Sequence, residues 1–456
     1  MEENKIRLAQ KNEKFQRYID TFQLPDVSFI EIPAPQQEES SSEVEEIEKD
    51  LSSSSLRAFQ FEEIDKLRED FLSVDIKYIT TDHVKNFISR LPQFEKHLES
   101  YPKLLEIFAF LTWKKELAEL IYPVFKGINF NNYMNYPLNV KNNLTIIIYN
   151  MIRFIDESKD VFKESFFEYF ITYFRSPSLY QSEKLNYHID VAADFIVFSD
   201  INLRIELFSI FIKFIHHISP IIIQSALKAI IKTIIAFPDI LSYSNDYNDN
   251  NFFSRLYYLG IQNNDTTQLV LIFLQHIIKN NNVQCSNYCY HTINNLLICL
   301  LTKDNIDSRT ESISLASFAF ANHYFMESLD NGVELIQTFL TQYPQFKFRE
   351  KKESILCFAN LMVNFPKIVD QYIQEDIFFT PFQDIFEVDD PLYLSPFLDG
   401  LYYFLTSSEI IYKLKNQHNF IYQKCNELLN SQNDGIRNRA QIILSYMTKN
   451  ENNNLY

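Results

Sequence analysis

The chain has 456 residues, of which 46% are hydrophobic and 15% aromatic, and its formal net charge is −17 at pH 7. So apolar a composition excludes a disordered protein, and the acidic balance argues against a nucleic-acid partner, since such binders usually carry a basic surface. Only five residues are glycine, whereas about thirty are usual in a chain of this length. So few glycines argue against hairpin-rich β folds and against Gly-rich nucleotide-binding loops. A mostly helical protein is therefore predicted.

The first 60 residues differ in composition from the rest. Residues 24–35 contain three prolines, and residues 36–55 are rich in Ser and Glu. Such sequences bury little apolar surface, so residues 1–60 are predicted to be largely disordered. Residues 450–456 are predicted to be a disordered tail.

Residues 61–449 are predicted to form a succession of helices joined by short linkers. Proline disfavours helix at the residue before it, so recurring aromatic–proline pairs are expected to separate the helices. Several segments, such as Ile221–Phe237, are apolar on most sides and must be covered on several sides, as in a stacked array. The pairs are Tyr101-Pro102, Tyr122-Pro123, Tyr136-Pro137, Phe237-Pro238, Tyr343-Pro344 and Phe365-Pro366.

A weak internal repeat supports this array. The triplet Glu-Ser-Ile occurs at Glu311–Ile313 and again at Glu353–Ile355. Counting about 42 residues forward or backward from these triplets reaches an apolar segment each time. Armadillo and HEAT repeats have about this length. The windows are Asn143–Asn150, Leu185–Ala192, Leu227–Ile234, Leu269–His276, Glu311–Phe318, Glu353–Asn360, Ser395–Tyr402 and Arg437–Leu444.

Three segments carry a resemblance to known repeat families. Residues 351–362, Lys-Lys-Glu-Ser-Ile-Leu-Cys-Phe-Ala-Asn-Leu-Met, resemble the last helix of an armadillo repeat, and residues 143–152 are similar in register. Residues 434–447 resemble the second helix of a HEAT repeat, with its Arg, Ala and Leu spacing. The resemblance implies an all-α, right-handed α-solenoid of armadillo/HEAT-like repeats.

The resemblance also implies binding residues. In peptide-binding armadillo proteins, an Asn of the last helix lines a concave groove and pairs with an extended backbone; the matching positions are Asn150 and Asn360. The alternative is that both Asn side chains bond to neighbouring helices. The importin alpha adaptors carry Trp four residues before this Asn, where this chain has Ile146 and Leu356, and its single Trp is Trp113.

Metal and catalytic motifs are incomplete. Cys285 and Cys289 lie one helical turn apart with His291 close by, but a closed zinc site needs four ligands. The segment Asp246–Asn250 begins like a calcium loop without the glycine and glutamate that complete it. No nucleophile motif is present, so we predict no metal, no cofactor and no enzymatic activity. A helical enzyme with a metal pair at Cys285 and Cys289 is the alternative from another class.

The predicted function is therefore a non-catalytic scaffold or adaptor that binds a protein partner, such as a basic or extended segment, on the concave surface of the solenoid. A divergent importin alpha-like transport adaptor is the alternative in the same class. With no apolar stretch of about 20 residues, no membrane insertion is expected. The odd number of cysteines does not suggest a disulfide framework, and a cytoplasmic location, with the nucleus as a second, is predicted.

Overall fold

The computed structural model describes residues 64–89, 101–126, 137–162, 173–174, 182, 184–243, 250–262, 264–279, 286–303, 308–328, 332–366, 369, 377–388, 390–406 and 415–453. The predicted N-terminal segment, residues 1–60, lies outside these residues. The last helix continues to Asn453, past residue 450, where the C-terminal tail is predicted to begin.

The described residues form twenty α-helices and no strand. Short 3₁₀ helices lie at Ile76–Tyr78, Ile196–Phe198 and Tyr343–Gln345. The α-helices are α1 Ile64–Leu72, α2 Thr81–Ser89, α3 Tyr101–Leu111, α4 Lys115–Phe125, α5 Leu138–Phe154, α6 Leu185–Phe195, α7 Ile201–Phe214, α8 Pro220–Ala236, α9 Ile240–Tyr243, α10 Asn250–Gln262, α11 Asn264–Lys279, α12 Asn287–Thr302, α13 Arg309–Ala321, α14 His323–Glu327, α15 Gly332–Gln342, α16 Phe348–Asn364, α17 Phe382–Phe386, α18 Pro391–Thr406, α19 Lys415–Leu428 and α20 Asp434–Asn453.

Ten helices pack side by side in chain order and form what we call the stacked layer: α1, α3, α5, α6, α8, α11, α13, α16, α18 and α20. Other helices, among them α4, α7, α10, α12 and α19, pack against one side of it as a second layer. All eight sequence windows of the predicted repeat lie in stacked-layer helices. The prediction of an all-α solenoid is confirmed.

Side chains of one stacked helix donate hydrogen bonds to backbone carbonyls of the helix before it. Cys357, Asn360 and Asn364 of α16 donate to the carbonyls of Ile313, Ser317 and Phe320 in α13, over 3.4, 2.9 and 3.0 Å. Side-chain bonds between adjacent stacked helices join residues that are 36 to 46 positions apart. This variable separation explains why the repeat is weak in the sequence.

Aromatic rings fill much of the space between the layers. Phe358 of α16 meets Phe339, Tyr343, Phe378 and Phe382 with ring centroids 5.3 to 6.4 Å apart, mostly edge to face. Such contacts add to the free energy gained by burying the rings. The high Phe content of the sequence therefore builds a continuous core along the array.

The aromatic–proline pairs mostly behave as predicted. Phe237 and Phe365 follow the last residues of α8 and α16, and Tyr343-Pro344 forms the turn between α15 and α16. The prediction is wrong at Tyr122-Pro123, because Pro123 lies inside α4. Pro123 has no N–H to donate to the Glu119 carbonyl, yet the helix continues past it, since the Lys126 N–H donates to the Tyr122 carbonyl over 3.0 Å.

Two of the described glycines lie within helices and face a neighbouring helix closely. A Cβ atom at Gly400 of α18 would lie 2.9 Å from the carbonyl oxygen of Ala359 in α16, and one at Gly260 of α10 would lie 2.8 Å from Leu296 of α12. These glycines allow close helix packing, a role that the sequence alone does not reveal.

Candidate partner-binding face

Inner helices of the stacked layer leave few side chains partly exposed, because neighbouring helices cover both flanks and second-layer helices cover a further side. We call one series of partly exposed side chains the exposed row; it has one or two members on each stacked helix from α5 to α20, and Trp113 after α3. It runs along the layer from the end of α3 to α20. Its members are Trp113, Tyr149, Tyr187, Asp194, Lys232, Gln275, Phe318, Asn360, Tyr402 and Tyr446.

The N-terminal end of the exposed row consists of three aromatic side chains, Trp113, Tyr149 and Tyr187, which we call the aromatic trio. Their ring centroids lie 6.2 Å apart for Trp113 and Tyr149, 5.3 Å for Tyr149 and Tyr187, and 5.8 Å for Trp113 and Tyr187. The Trp113 side chain is 38% exposed. Aromatic side chains that keep part of their surface in solvent are common anchors in protein interfaces.

Charged side chains form the next part of the exposed row. Lys232 of α8 bonds the Asp194 carboxylate of α6 over 2.9 Å. One turn earlier, burial raises the pKa of Asp190 to about 6, while Lys232, Lys228 and a hydrogen bond with Ser225 act in the opposite direction. The carboxylate of Asp190 is thus stabilised by its neighbours, but its desolvation outweighs them.

We expect Asp190→Asn to stabilise the protein above pH 7 by up to about 3 kcal/mol and to have little effect near pH 4. The pKa of the Asp190 carboxyl group is about 6 in the folded protein, compared with 3.8 in the unfolded chain. The group therefore contributes its full stabilisation to the folded state below pH 3.8, and this stabilisation is lost as the pH rises through 6. Urea unfolding at pH 4 and pH 8 measures the difference. The control Asp194→Asn removes a partly exposed ion pair and should cost at most about 1 kcal/mol; an equal stability gain from both variants would contradict the assignment to Asp190.

The two predicted binding residues, Asn150 and Asn360, lie in different environments. Asn360 is half-buried and belongs to the exposed row, with its Nδ2 donating to the Ser317 carbonyl over 2.9 Å. Asn150 is fully buried, and its Nδ2 donates to Thr112 Oγ1 over 3.2 Å. Its neighbour Tyr149 is partly exposed instead. A ligand on the exposed row could therefore contact Asn360 directly, whereas Asn150 lies beneath the surface and bonds to the end of the preceding stacked helix.

A buried polar cluster holds α5 against α6. His188 is fully buried, with Nδ1 2.9 Å from Thr145 Oγ1 and Nε2 3.0 Å from Asn142 Oδ1. Burial, together with the charge of Lys141, holds the pKa of His188 well below 6.5. A neutral ring in which Nε2–H donates to the Asn142 carbonyl and the Thr145 hydroxyl donates to Nδ1 satisfies both nitrogens. Since the ring is enclosed, its contacts indicate a structural role, and an isolated His on an apolar helix gives no sequence signal for it.

The predicted metal pair lies partly outside the described residues, since Cys285 is not among them. Its partner Cys289 is fully buried. Within the described ranges, no three His, Cys, Asp or Glu side chains are grouped so that they could hold a metal ion. Burial raises the pKa of the Cys357 thiol well above 9 and that of Cys425 to about 12, which disfavours the reactive thiolate. None of the helices searched is long and apolar enough to cross a bilayer.

Comparison with known proteins shows the fold and no more. No protein family matches the sequence, and no curated protein matches it significantly. An engineered protein of the Northeast Structural Genomics Consortium is similar in structure, with a TM-score of 0.67 and 12% identity over 88% of this chain and 98% of that chain. A designed armadillo repeat protein aligns over 61% of this chain and 98% of its own, with 13% identity and a TM-score of 0.34. These two structures do not confirm the resemblance to importin alpha. The similarity to the engineered protein concerns the fold alone, which in the described residues of this chain is an all-α solenoid.

Proposed function

We propose that this protein is a non-catalytic scaffold or adaptor that binds a protein partner along the exposed row, on what would be the concave side of the array. The observation that carries the proposal is the row itself, in which aromatic, amide and charged side chains follow one another across eight stacked helices, from α5 to α20. A repeat array offers a long continuous surface and few enclosed pockets. The net charge of −17 disfavours nucleic acid as the partner, and we propose the cytoplasm, with the nucleus as a second location, as the place of action.

The partner is proposed to be an extended segment. The Asn360 side chain uses Nδ2 to bond Ser317, and its Oδ1 accepts no hydrogen bond from any other described residue. That oxygen can accept from a backbone N–H of a ligand. Tyr402 of α18, on the next stacked helix, packs its ring against Tyr446 of α20 at 5.9 Å. An extended chain along the row would thus alternate between hydrogen-bonding and aromatic contacts.

The test is affinity purification of the native protein, with cross-linking and mass spectrometry to locate the contact. Asn360→Ala should reduce the amount of the specific partner retained about fivefold, because one lost hydrogen bond costs about 1 kcal/mol, and Tyr402→Ala should reduce it further. Cross-links should fall on the stacked layer.

Matched controls come from the second layer. Tyr258 of α10 and Tyr288 of α12 are 55% and 50% exposed, so Tyr258→Ala and Tyr288→Ala remove exposed rings away from the exposed row. Partner retention should be unchanged by these two. The proposal is overturned if they reduce retention as much as Asn360→Ala and Tyr402→Ala do.

A further inference from the structure

We propose that the aromatic trio of Trp113, Tyr149 and Tyr187 is a cation cage that binds a methylated lysine side chain of a partner protein. This deepens the proposed function, on which it rests, by naming the side chain that one end of the exposed row recognises. Aromatic rings attract a cation placed over their faces, and groups of such rings recognise methylated ammonium groups.

The three rings form a triangle. Their centroids lie 5.3 to 6.2 Å from one another, so a cation centred over the triangle can lie within about 6 Å of all three, which is the range of a cation–π contact. The ring planes are inclined by 57 to 67° to one another, so they do not form a flat stack and can surround a single group. One ammonium group can therefore contact all three rings.

Part of each ring is open to solvent. The Trp113 side chain is 38% exposed, and Tyr149 and Tyr187 are half-buried. A cation–π contact becomes stronger as the cation is withdrawn from water, and half-buried rings withdraw it while leaving a way in. Because the trio belongs to the exposed row, a partner segment that lies along the row can place a side chain on it.

The carboxylates beside the trio favour a cation there. Burial raises the pKa of Tyr149 to about 12, and the charges of Asp190 and Asp194 act in the same direction, whereas the opposing effect of Arg153 is smaller than that of Asp190. Burial and the charge of Asp190 also raise the pKa of Tyr187. A carboxylate that disfavours a phenolate at these positions attracts a cation to the same place.

The structure already holds one ammonium group beside the trio. Lys184 Nζ lies 5.9 Å from the centroid of the Tyr187 ring, which is the outer limit of a cation–π contact. At that distance from one ring it leaves the centre of the triangle to a ligand. Lys184 is therefore a weak competitor, and its removal should strengthen the binding of a cationic ligand.

Among the described side chains, no free carboxylate is offered to an ordinary lysine on the trio. Asp194 is bonded to Lys232 over 2.9 Å, and Asp190 is half-buried and shares a hydrogen bond with Ser225. An unmodified ammonium group would lose hydrogen bonds to water without full replacement. A trimethylated ammonium group keeps the charge and has no N–H to satisfy, so the site favours the methylated side chain.

The single tryptophan gives a direct measurement, because all indole fluorescence of the chain comes from Trp113. The probe is a blocked Gly-Ser peptide with one central trimethyl-lysine, titrated into the full-length protein at pH 8. We expect a saturable change in the Trp113 emission. The same peptide with unmodified lysine, or with the neutral tert-butyl analogue of trimethyl-lysine, should bind at least about fivefold more weakly.

Tyr187→Leu keeps an apolar side chain and removes one aromatic face, so it should weaken binding of the methylated peptide at least about fivefold. Lys184→Gln removes the competing cation and should strengthen binding. Tyr258→Leu is the matched control, since Tyr258 lies in the second layer and is 55% exposed, and it should leave the affinity unchanged. Circular dichroism verifies that every variant is folded.

Equal binding of the three peptides overturns the proposal, as does the absence of an emission change at millimolar methylated peptide or weaker binding to Lys184→Gln. Choline that binds more tightly than the methylated peptide would assign the trio to a small quaternary ammonium compound and would also overturn it. If the methylated peptide fails but Asn360→Ala still loses its partner, the proposed function stands without this inference.

Discussion

Gly400→Val is expected to lower the free energy of unfolding by more than about 3 kcal/mol, or to prevent folding. The first added carbon would lie 2.9 Å from the carbonyl oxygen of Ala359 and 3.1 Å from its Cα atom. Both are backbone atoms, which cannot rotate away as a side chain can, so α16 and α18 would have to separate. The valine methyl groups increase the overlap, and the gain in helix propensity over glycine, less than about 0.5 kcal/mol, is too small to compensate. Urea unfolding followed by circular dichroism measures the loss.

Gly435→Ala is the matched control. This glycine lies in the first turn of α20, where an added Cβ would meet the side-chain ends of Asn433 and Arg439 at 3.1 and 3.2 Å. These can move, and alanine favours helix over glycine by about 1 kcal/mol. We therefore expect unchanged or slightly higher stability. If Gly400→Val unfolds at the same urea concentration as the wild type, α16 and α18 do not pack as closely as described here.

Glu350→Ala is expected to cost about 3–5 kcal/mol, the usual loss when one partner of a buried ion pair is removed. Glu350 Oε2 accepts a hydrogen bond from the Lys347 backbone N–H over 2.7 Å and lies 3.9 Å from Nη1 of Arg309. Both charged side chains are less than 10% exposed. The variant would thus leave a buried guanidinium without its carboxylate and an unsatisfied N–H at the start of α16. Thermal and urea unfolding measure the cost.

Two variants test whether the loss comes from burial of the charge. Replacement of both partners, Arg309→Met with Glu350→Leu, should recover much of the stability, because it leaves no unpaired charge. Asp384→Ala removes the partner of Lys351, whose Nζ lies 2.7 Å from the carboxylate with both side chains 30% or more exposed, and should cost at most about 1 kcal/mol. A Glu350→Ala variant as stable as Asp384→Ala would refute the argument.

The fold was predictable because a solenoid repeats its apolar pattern. The two Glu-Ser-Ile triplets occupy matching positions in α13 and α16, so one step of 42 residues located every window in a stacked helix. The exposed row was harder to predict, because one residue along an α-helix turns the side chain by about 100°. That small difference places Tyr149 on the surface and Asn150 in the core. A degenerate motif aligns a helix with the repeat pattern only to within about one residue. That precision is not enough to predict which side chain of the helix belongs to the exposed row.

The aromatic trio shows a second limit of sequence reasoning. Trp113 lies beyond the end of α3 and outside every repeat motif, so no motif in the sequence assigns it a place on the surface. Its neighbours in space are about 40 residues away in the chain, at Tyr149 and Tyr187. Aromatic residues are frequent throughout this sequence, and only the packing distinguishes partly exposed rings from the buried ones.

The bonds from Cys357, Asn360 and Asn364 to the preceding stacked helix depend on which residues face each other and not on the linker between the helices. Loop closure becomes only slightly less favourable as a linker lengthens. Residues could therefore be inserted into or deleted from the linkers over evolutionary time while the helices kept their alignment. Such drift would erase the sequence period and preserve the alignment of the exposed row along the stacked layer.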